Sequence, residues 1–189
     1  LEICESRNDG STVTVAHVGA ADSEPVIRKA LSIGANDAIR INANPADARF
    51  VASQLKAVIQ SGGYDVVLCG RESIDYNSGA VCSLLGEELG WPAINVINKL
   101  DINGNTASIE HDVDGGRELL TVEVPFVASA QKDLCEPRIP NMKGIMAART
   151  KPLQVVEAQS VNATAAYVNY ELPKPKQGVR IIAPEQASD

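Results

Sequence analysis

The stretch Asp65-Val66-Val67-Leu68-Cys69-Gly70-Arg71-Glu72-Ser73-Ile74-Asp75-Tyr76-Asn77-Ser78-Gly79-Ala80-Val81 decides how this chain folds. An apolar run ends at a glycine, passes through a polar loop and enters a helical period from about Ser78 to Leu89. Strand, Gly- and Ser-rich loop, then helix is the order of an α/β unit. The unbroken apolar character of residues 65 to 69 predicts a central parallel strand covered on both faces. In open parallel sheets, ligands lie beyond the carboxyl ends of the strands. A loop of this composition exposes N–H donors beside a positive helix terminus, which suits a nucleotide phosphate. A plain strand-to-helix connection has the same appearance.

Upstream, the pattern repeats. Thr12-Val13-Thr14-Val15-Ala16-His17-Val18 has strand composition and is closed by Gly19. A helical period follows, with Val26, Ile27, Ala30, Leu31 and Ile33 on one side, Ser23 at the N-cap, and Glu24 and Pro25 just inside. Ala38-Ile39-Arg40-Ile41 is a short strand, and residues 46 to 60 form a second helix through Phe50, Val51, Leu55, Val58 and Ile59. Strands alternating with helices imply right-handed crossovers and a parallel sheet. The edge His17-Val18-Gly19-Ala20 would then offer backbone to an adenine beside the 70–81 loop. Ser61-Gly62-Gly63-Tyr64-Asp65 carries the glycines of a phosphate loop, but it follows a helix and opens a strand, so it reads as a helix C-cap.

After Trp91-Pro92 the pattern becomes antiparallel. Asn103-Gly104 marks a hairpin between residues 97–100 and 107–109, and Asp114-Gly115-Gly116 marks a second reversal before residues 119–124. Residues 125–130 return to an apolar strand, and a Pro- and Lys-containing loop follows. The expected architecture is α/β: a parallel sheet with flanking helices, an antiparallel meander, and an extended C-terminal arm. The domain is expected to span 1–157, with the arm at 158–189. Pro173-Lys174-Pro175-Lys176 reads as extended, and Gly178 to Ile182 as a candidate last strand. Leu1, Ile3 and Cys4 are spaced like the tail of a helix, which suggests a fragment.

Composition narrows the function. With 189 residues, 44% hydrophobic and 22% charged, the chain is an ordinary globular one. A net charge of −7 disfavours nucleic acid and anionic lipid as partners, and aromatics at 4% supply no base-stacking platform. No apolar run is long enough for membrane insertion, and the start lacks the order of a signal peptide. Cys4, Cys69, Cys82 and Cys135 form no CxxC, and with His17 and His111 no zinc spacing can be written. Reduced thiols in a cytoplasmic compartment and no metal are the expectation. Glu110, Asp112, Asp114 and Glu118 read as a solvated strand face with His111 among them, and His17 as a core group. No catalytic nucleophile arrangement emerges.

The residues also resemble a known family. Gly70-Arg71-Glu72-Ser73-Ile74-Asp75 resembles the GKQAID or GRQAID segment of electron transfer flavoprotein beta subunits. Ile109 through Glu118, followed by Pro125-Phe126-Val127-Ala128-Ser129-Ala130, resembles the family signature of the form VEREIDGGxE followed by PAVVTA. Glu136-Pro137-Arg138 through Met142-Lys143-Gly144-Ile145-Met146-Ala147-Ala148 is similar to its EPR…IMKA recognition loop. With Gly34-Ala35-Asn36-Asp37, the resemblance runs in order over about residues 11 to 157.

The resemblance implies a Rossmann-like fold of the adenine nucleotide alpha hydrolase type. It also implies an electron carrier subunit rather than an enzyme, paired with an alpha subunit in a heterodimer that holds FAD. It places a structural AMP in this subunit against Val18 and Gly19 and along Gly70, Arg71, Ser73, Asp75, Asn77, Ser78, Gly79, Ala80 and Val81. Docking to acyl-CoA-dehydrogenase-type partners falls to Glu136, Pro137, Arg138, Met142, Ile145 and Met146 in a loop of about 130 to 152. The chain departs from the family at Gly79-Ala80-Val81-Cys82, where many members carry NQTG or AQVGP, and at His111, where Arg or Lys is usual. The family's first strand and helix have no counterpart before Leu1. Two other readings remain open here: a bifurcating type with a second FAD in beta, and a non-redox adenine-nucleotide-binding regulatory module.

Overall fold

The computed structural model describes residues 1–74, 77–132, 134–166, 168–176, 178, 179, 181 and 182. Helix α1 (Glu2–Arg7) leads into β1 (Thr14–Val18), a 3-10 turn (Ala21–Ser23), α2 (Glu24–Ser32) and β2 (Asp37–Asn42). Next come α3 (Ala48–Gly62), β3 (Val66–Gly70), α4 (Val81–Leu89), β4 (Ala93–Asn103), β5 (Thr106–Val113), β6 (Gly116–Glu123), β7 (Phe126–Ala130), α5 (Met142–Ala148) and β8 (Leu153–Glu157).

The strands form two sheets. One is wholly parallel, in the order β1-β2-β8; the other runs β3-β7-β4-β5-β6, parallel from β3 to β4 and antiparallel through the meander. The α/β class, the parallel pairing and the appended meander follow the sequence reading. β3, however, is an edge strand and not a central one, and Leu68 at its middle is 52% exposed. The outer edges of β1 and β3 do not pair. They border one cavity, lined by Thr14 and Ala16 from one side and by all of β3 from the other.

Several local signals act as read. Gly63 caps α3 at φ 66, a left-handed conformation that glycine adopts without strain. The first hairpin turns on Gly104 and Asn105, one residue beyond the expected pair, with Asn103 opposite Thr106 in the ladder. Ser23 occupies the N-cap of α2, but its hydroxyl donates to the Ala20 carbonyl rather than accepting from the helix. Of the expected α2 face, Ile27 and Leu31 are buried while Val26 is exposed. The α4 helix begins at Val81, so Ser78 to Ala80 belong to the loop.

Three elements depart from the sequence reading. β4 begins at Ala93, directly after Pro92. It pairs parallel with β7 from Ala93 to Ile97 on one edge and antiparallel with β5 from Ile97 to Asn103 on the other, with a bulge between Ile97 and Lys99. Within the expected loop, α5 forms with Asn141 as its N-cap, the side-chain Oδ1 accepting from the Gly144 N–H at 2.8 Å. β8 then adds to β2 and completes the small sheet. Lys151 Nζ donates to the Leu31 and Ala35 carbonyls at the end of α2, and Arg28 to those of Ala148 and Lys151, which fixes α5 and β8 to α2.

Three apolar clusters hold the layers together. Phe126, Ile94, Ile97 and Ile109 pack on one face of the mixed sheet, and Ala52, Ile59, Leu85 and Val127 lie between its other face and α3–α4. Ile27, Leu31 and Ala148 fill the space under the small sheet. The segment after Glu157 has no helix or strand among its described residues, so Gly178, Val179, Ile181 and Ile182 do not form the expected strand. Its first part is nonetheless tied down. The buried Gln54 amide donates to the Gln159 carbonyl at 2.9 Å and accepts from the Gln159 N–H at 2.8 Å. Asp47 accepts from the N–H groups of Thr164 and Ala165.

Candidate functional site

At the carboxyl end of β3 the chain leaves Gly70 and returns at the start of α4. The loop between them walls a cavity of about 450 Å3 lined by Gly70, Arg71, Ser73, Ser78, Gly79, Ala80 and Val81. That volume lies within the roughly 300–1,000 Å3 of small-molecule sites. Glu72 also lines it, and the remaining wall is mostly apolar: Ala16 of β1, Leu55, Val58 and Ile59 of α3 and the β3 side chains, with Thr14 and Tyr64 among them. Gly79 stands at φ 55, a conformation that strains any residue bearing a side chain, and a Cβ there would lie 3.4 Å from the Arg71 carbonyl oxygen. The α4 N-cap, Ala80, offers no side-chain acceptor to the first turn. Its leading N–H groups therefore have no cap of their own in the sequence, a feature favourable to an anion. Arg71 reaches Gln131 Oε1 at 3.1 Å and lies 3.6 Å from Glu72, which holds its guanidinium at the loop's edge.

Not every expected residue joins this cavity. Asn77, at φ 51, donates its N–H to the Ser73 carbonyl at 2.7 Å and shapes the loop without lining it. Asp75 lies outside the described residues. Val18 is buried at the end of β1, and neither it nor Gly19 lines the cavity. The Gly19 N–H donates to the Ile41 carbonyl at 3.0 Å, and its own carbonyl accepts from the Arg40 guanidinium at 2.9 Å. Its backbone is thus already engaged. A Cβ on Gly19 would strike the His17 ring at 2.5 Å and Ser23 Oγ at 2.7 Å, so glycine is needed there for packing. His17 is half-buried, and burial, together with the Arg40 charge, lowers its pKa.

The second candidate surface is the segment before and along α5. Met142 is 74% exposed and Met146 56%, with Ile145 beside them one helical turn on. Glu136 and Pro137 are exposed. Arg138 is engaged within the chain: both of its terminal nitrogens donate to the Glu5 carboxylate, at 2.8 and 2.6 Å. That pairing holds the Glu5 carboxyl below its ordinary range. Arg138 therefore anchors the segment to α1. Ile139, inside the expected loop but not among the expected docking residues, stands 88% exposed next to this row. Gly144 lets α5 settle on α2, since a Cβ there would collide with the Ser32 carbonyl oxygen.

The acidic residues of the meander form a solvated, ion-paired face. Glu110 lies 3.4 Å from Lys99, Asp112 3.1 Å from Arg117, and Glu118 3.1 Å from His111. Among the residues of the main site that escaped the sequence reading are Thr14 and Ala16, which reach the cavity from a distant strand, the α3 and β3 side chains of its wall, Tyr64 and Glu72, and Gln131, which pins Arg71. Only the period of β1 signalled the first two; nothing in the sequence signals Gln131.

Comparison with known proteins decides the family. A model of the electron transfer flavoprotein domain matches residues 1–161. The chain is 36% identical over 157 residues to the electron transfer flavoprotein subunit beta of Bacillus subtilis, covering 81% of this chain and 61% of that one. It is 33% identical over 171 residues to the subunit beta of Syntrophomonas wolfei, covering 89% and 68% respectively. The chain belongs to the electron transfer flavoprotein beta-subunit family. A third member, from Thermoanaerobacterium thermosaccharolyticum, is 33% identical over 145 residues, 75% of this chain and 56% of its own. The chain thus spans 56 to 68% of the length of these curated relatives. Among the described residues, no helix is long and apolar enough to cross a membrane.

Proposed function

We propose that this chain is the nucleotide-holding and docking subunit of a two-chain electron carrier, working with an alpha subunit in the cytoplasm. The observation that carries the reading is the coincidence of two things at one place. Gly70 to Ser73 and Ser78 to Val81, within the segment that resembles the family's loop, also form the rim of the cavity at the end of β3 and the start of α4. An adenine nucleotide such as AMP fits the residues present: an uncapped helix start for its phosphate, an apolar wall for its base, and serine hydroxyl groups between. Gly70, Arg71, Ser73, Ser78, Gly79, Ala80 and Val81 would hold it, with Asn77 shaping the loop and Asp75 anchoring it. Val18 and Gly19 support the rim from the neighbouring strand rather than by direct backbone donation from Gly19.

FAD in the heterodimer would supply the redox chemistry. This chain contributes the scaffold, the nucleotide and the contact surface. Met142, Ile145 and Met146, with Glu136 and Pro137 beside them, would meet an acyl-CoA-dehydrogenase-type donor. Flexible thioethers adapt to several partner surfaces, and a small apolar row suits a short-lived encounter. Co-expression with the alpha subunit, denaturation of the purified complex and identification of the released nucleotides test this reading. One AMP and one FAD per heterodimer are expected. Two FAD would move the assignment to the bifurcating type, and no nucleotide would refute the holding role.

A further inference from the structure

Two thiols from different elements meet behind the 70–81 loop. Cys69 is the penultimate residue of β3, and Cys82 is the second residue of α4. Cys69 packs against the apolar cluster that contains the buried Cys82, Leu85 and Val127. In the β3–β7 ladder Cys69 stands directly opposite Ser129, so both side chains leave the sheet on the same face, toward the first turn of α4. The two thiols act on each other, Cys69 being pushed up and Cys82 down, and the Ser129 hydroxyl adds to the lowering at Cys82. The Cys82 sulfur also lies 3.9 Å from the Ile94 carbonyl oxygen. Of the two, Cys69 lines the cavity and Cys82 does not.

We propose that Cys69 and Cys82 form an oxidisable dithiol, closed to a reversible intramolecular disulfide by a small peroxide that enters through the cavity. Cys69, the Ser129 hydroxyl and the adjacent helix N-terminus favour the thiolate at Cys82, while Cys69 is pushed up by its thiol neighbour and by burial. Transfer of the Cys69 proton to the Cys82 thiolate frees the sulfur that faces the cavity. That sulfur attacks peroxide: an S–O bond forms, the O–O bond breaks, and the departing hydroxide takes the proton back from Cys82 and leaves as water. The Cys82 thiolate then attacks the Cys69 sulfur; the S–S bond forms, the S–O bond breaks, and the released hydroxide leaves as water on taking up a proton. In sum, two thiols and one hydrogen peroxide give one disulfide and two waters. Each sulfur loses one electron and each peroxide oxygen gains one.

The product ties the end of β3 to the first turn of α4 and so fixes both ends of the cavity loop. The proposal rests on the thiols alone and stands whether or not the loop holds a nucleotide. To test it, the reduced full-length chain is treated with hydrogen peroxide, quenched, denatured in N-ethylmaleimide and digested. A Cys69–Cys82 linked peptide is expected, reversible by dithiothreitol, with both thiols lost to alkylation in equal amount while Cys4 and Cys135 remain alkylatable. Cys69→Ser should leave Cys82 reduced, because Cys82 alone does not face the cavity. Cys82→Ser removes both the group that takes up the Cys69 proton and the resolving thiol, and should leave Cys69 alkylatable at the dose that oxidises the pair. Full alkylation of Cys69 and Cys82 at a dose that oxidises Cys4 or Cys135 would overturn the proposal. So would linked peptides containing Cys4 or Cys135, or loss of the Cys82 thiol at the wild-type rate in Cys69→Ser.

Discussion

The cavity at the end of β3 and the apolar row on α5 both face solvent, yet they rest on opposite foundations. The cavity's rim is backbone and small residues of the loop after β3, its wall is side chains of α3 and β3, and behind it lie Leu85, Cys82 and Val127, all buried. The α5 row is made of side chains that almost nothing covers, on a helix of seven residues held by one asparagine cap and by contact with α2. A site walled by packed elements depends on the core beneath it. A site built from exposed side chains does not, so its affinity can change while the fold stays intact.

The largest effect should come from the floor of the cavity. Leu85→Ala removes a fully buried side chain and should cost about 2–5 kcal/mol in denaturant unfolding, with nucleotide retention falling alongside. The same measurement on Met142→Ala should stay within about 0.5 kcal/mol of the parent. Equal losses at both positions would erase the contrast. Next in size, the double change Met142→Ala and Met146→Ala should weaken partner reduction by roughly 5- to 30-fold, about 1–2 kcal/mol, with bound nucleotide unchanged. A loss of nucleotide in that variant would mean that the two surfaces are one. Gly79→Val should cost about 1–2 kcal/mol by placing a branched side chain at φ 55, and should weaken nucleotide binding about tenfold without altering docking.

The smallest effect concerns the arm. Asp47 caps α3 through Phe50 and clasps Thr164 and Ala165, and these hydrogen bonds hold its carboxyl down at about 2. A carboxylate lowered on folding stabilises fully above its unfolded value, 3.8, and loses that contribution as pH falls through about 2. Amide exchange at Thr164 and Ala165 should therefore accelerate relative to the α3 interior as the solution is acidified across that window. Asp47→Asn should show no such step.

Much of this fold is legible in the sequence because its signals are local. Gly63, the Gly104 turn and the strand–loop–helix order around residues 65–89 each follow from a few neighbouring residues. What is not legible depends on distant contacts. β4 pairs parallel on one edge and antiparallel on the other, and its bulge at residues 97–99 breaks the alternation that would have revealed it. α5 contains a glycine and spans two turns, too short to announce itself by period; it exists because α2 receives it. β8 reads as loop until β2 supplies its partner. The edge position of β3 is likewise invisible, since an apolar run looks the same in the centre of a sheet as beside a cavity. At the site, the loop was readable as a unit, while Thr14, Ala16, Gln131 and the meeting of Cys69 with Cys82 come from the topology.

The central claim is that the cavity at the end of β3 holds an adenine nucleotide. A photoreactive azido-AMP, bound to the complex of this chain with its alpha subunit after removal of resident nucleotide, tests it most directly. Labelling confined to the peptide spanning residues 66–89, and competed by AMP, is the predicted result. Labelling of the α5 segment or of the alpha subunit alone, with residues 66–89 unmarked, would contradict it.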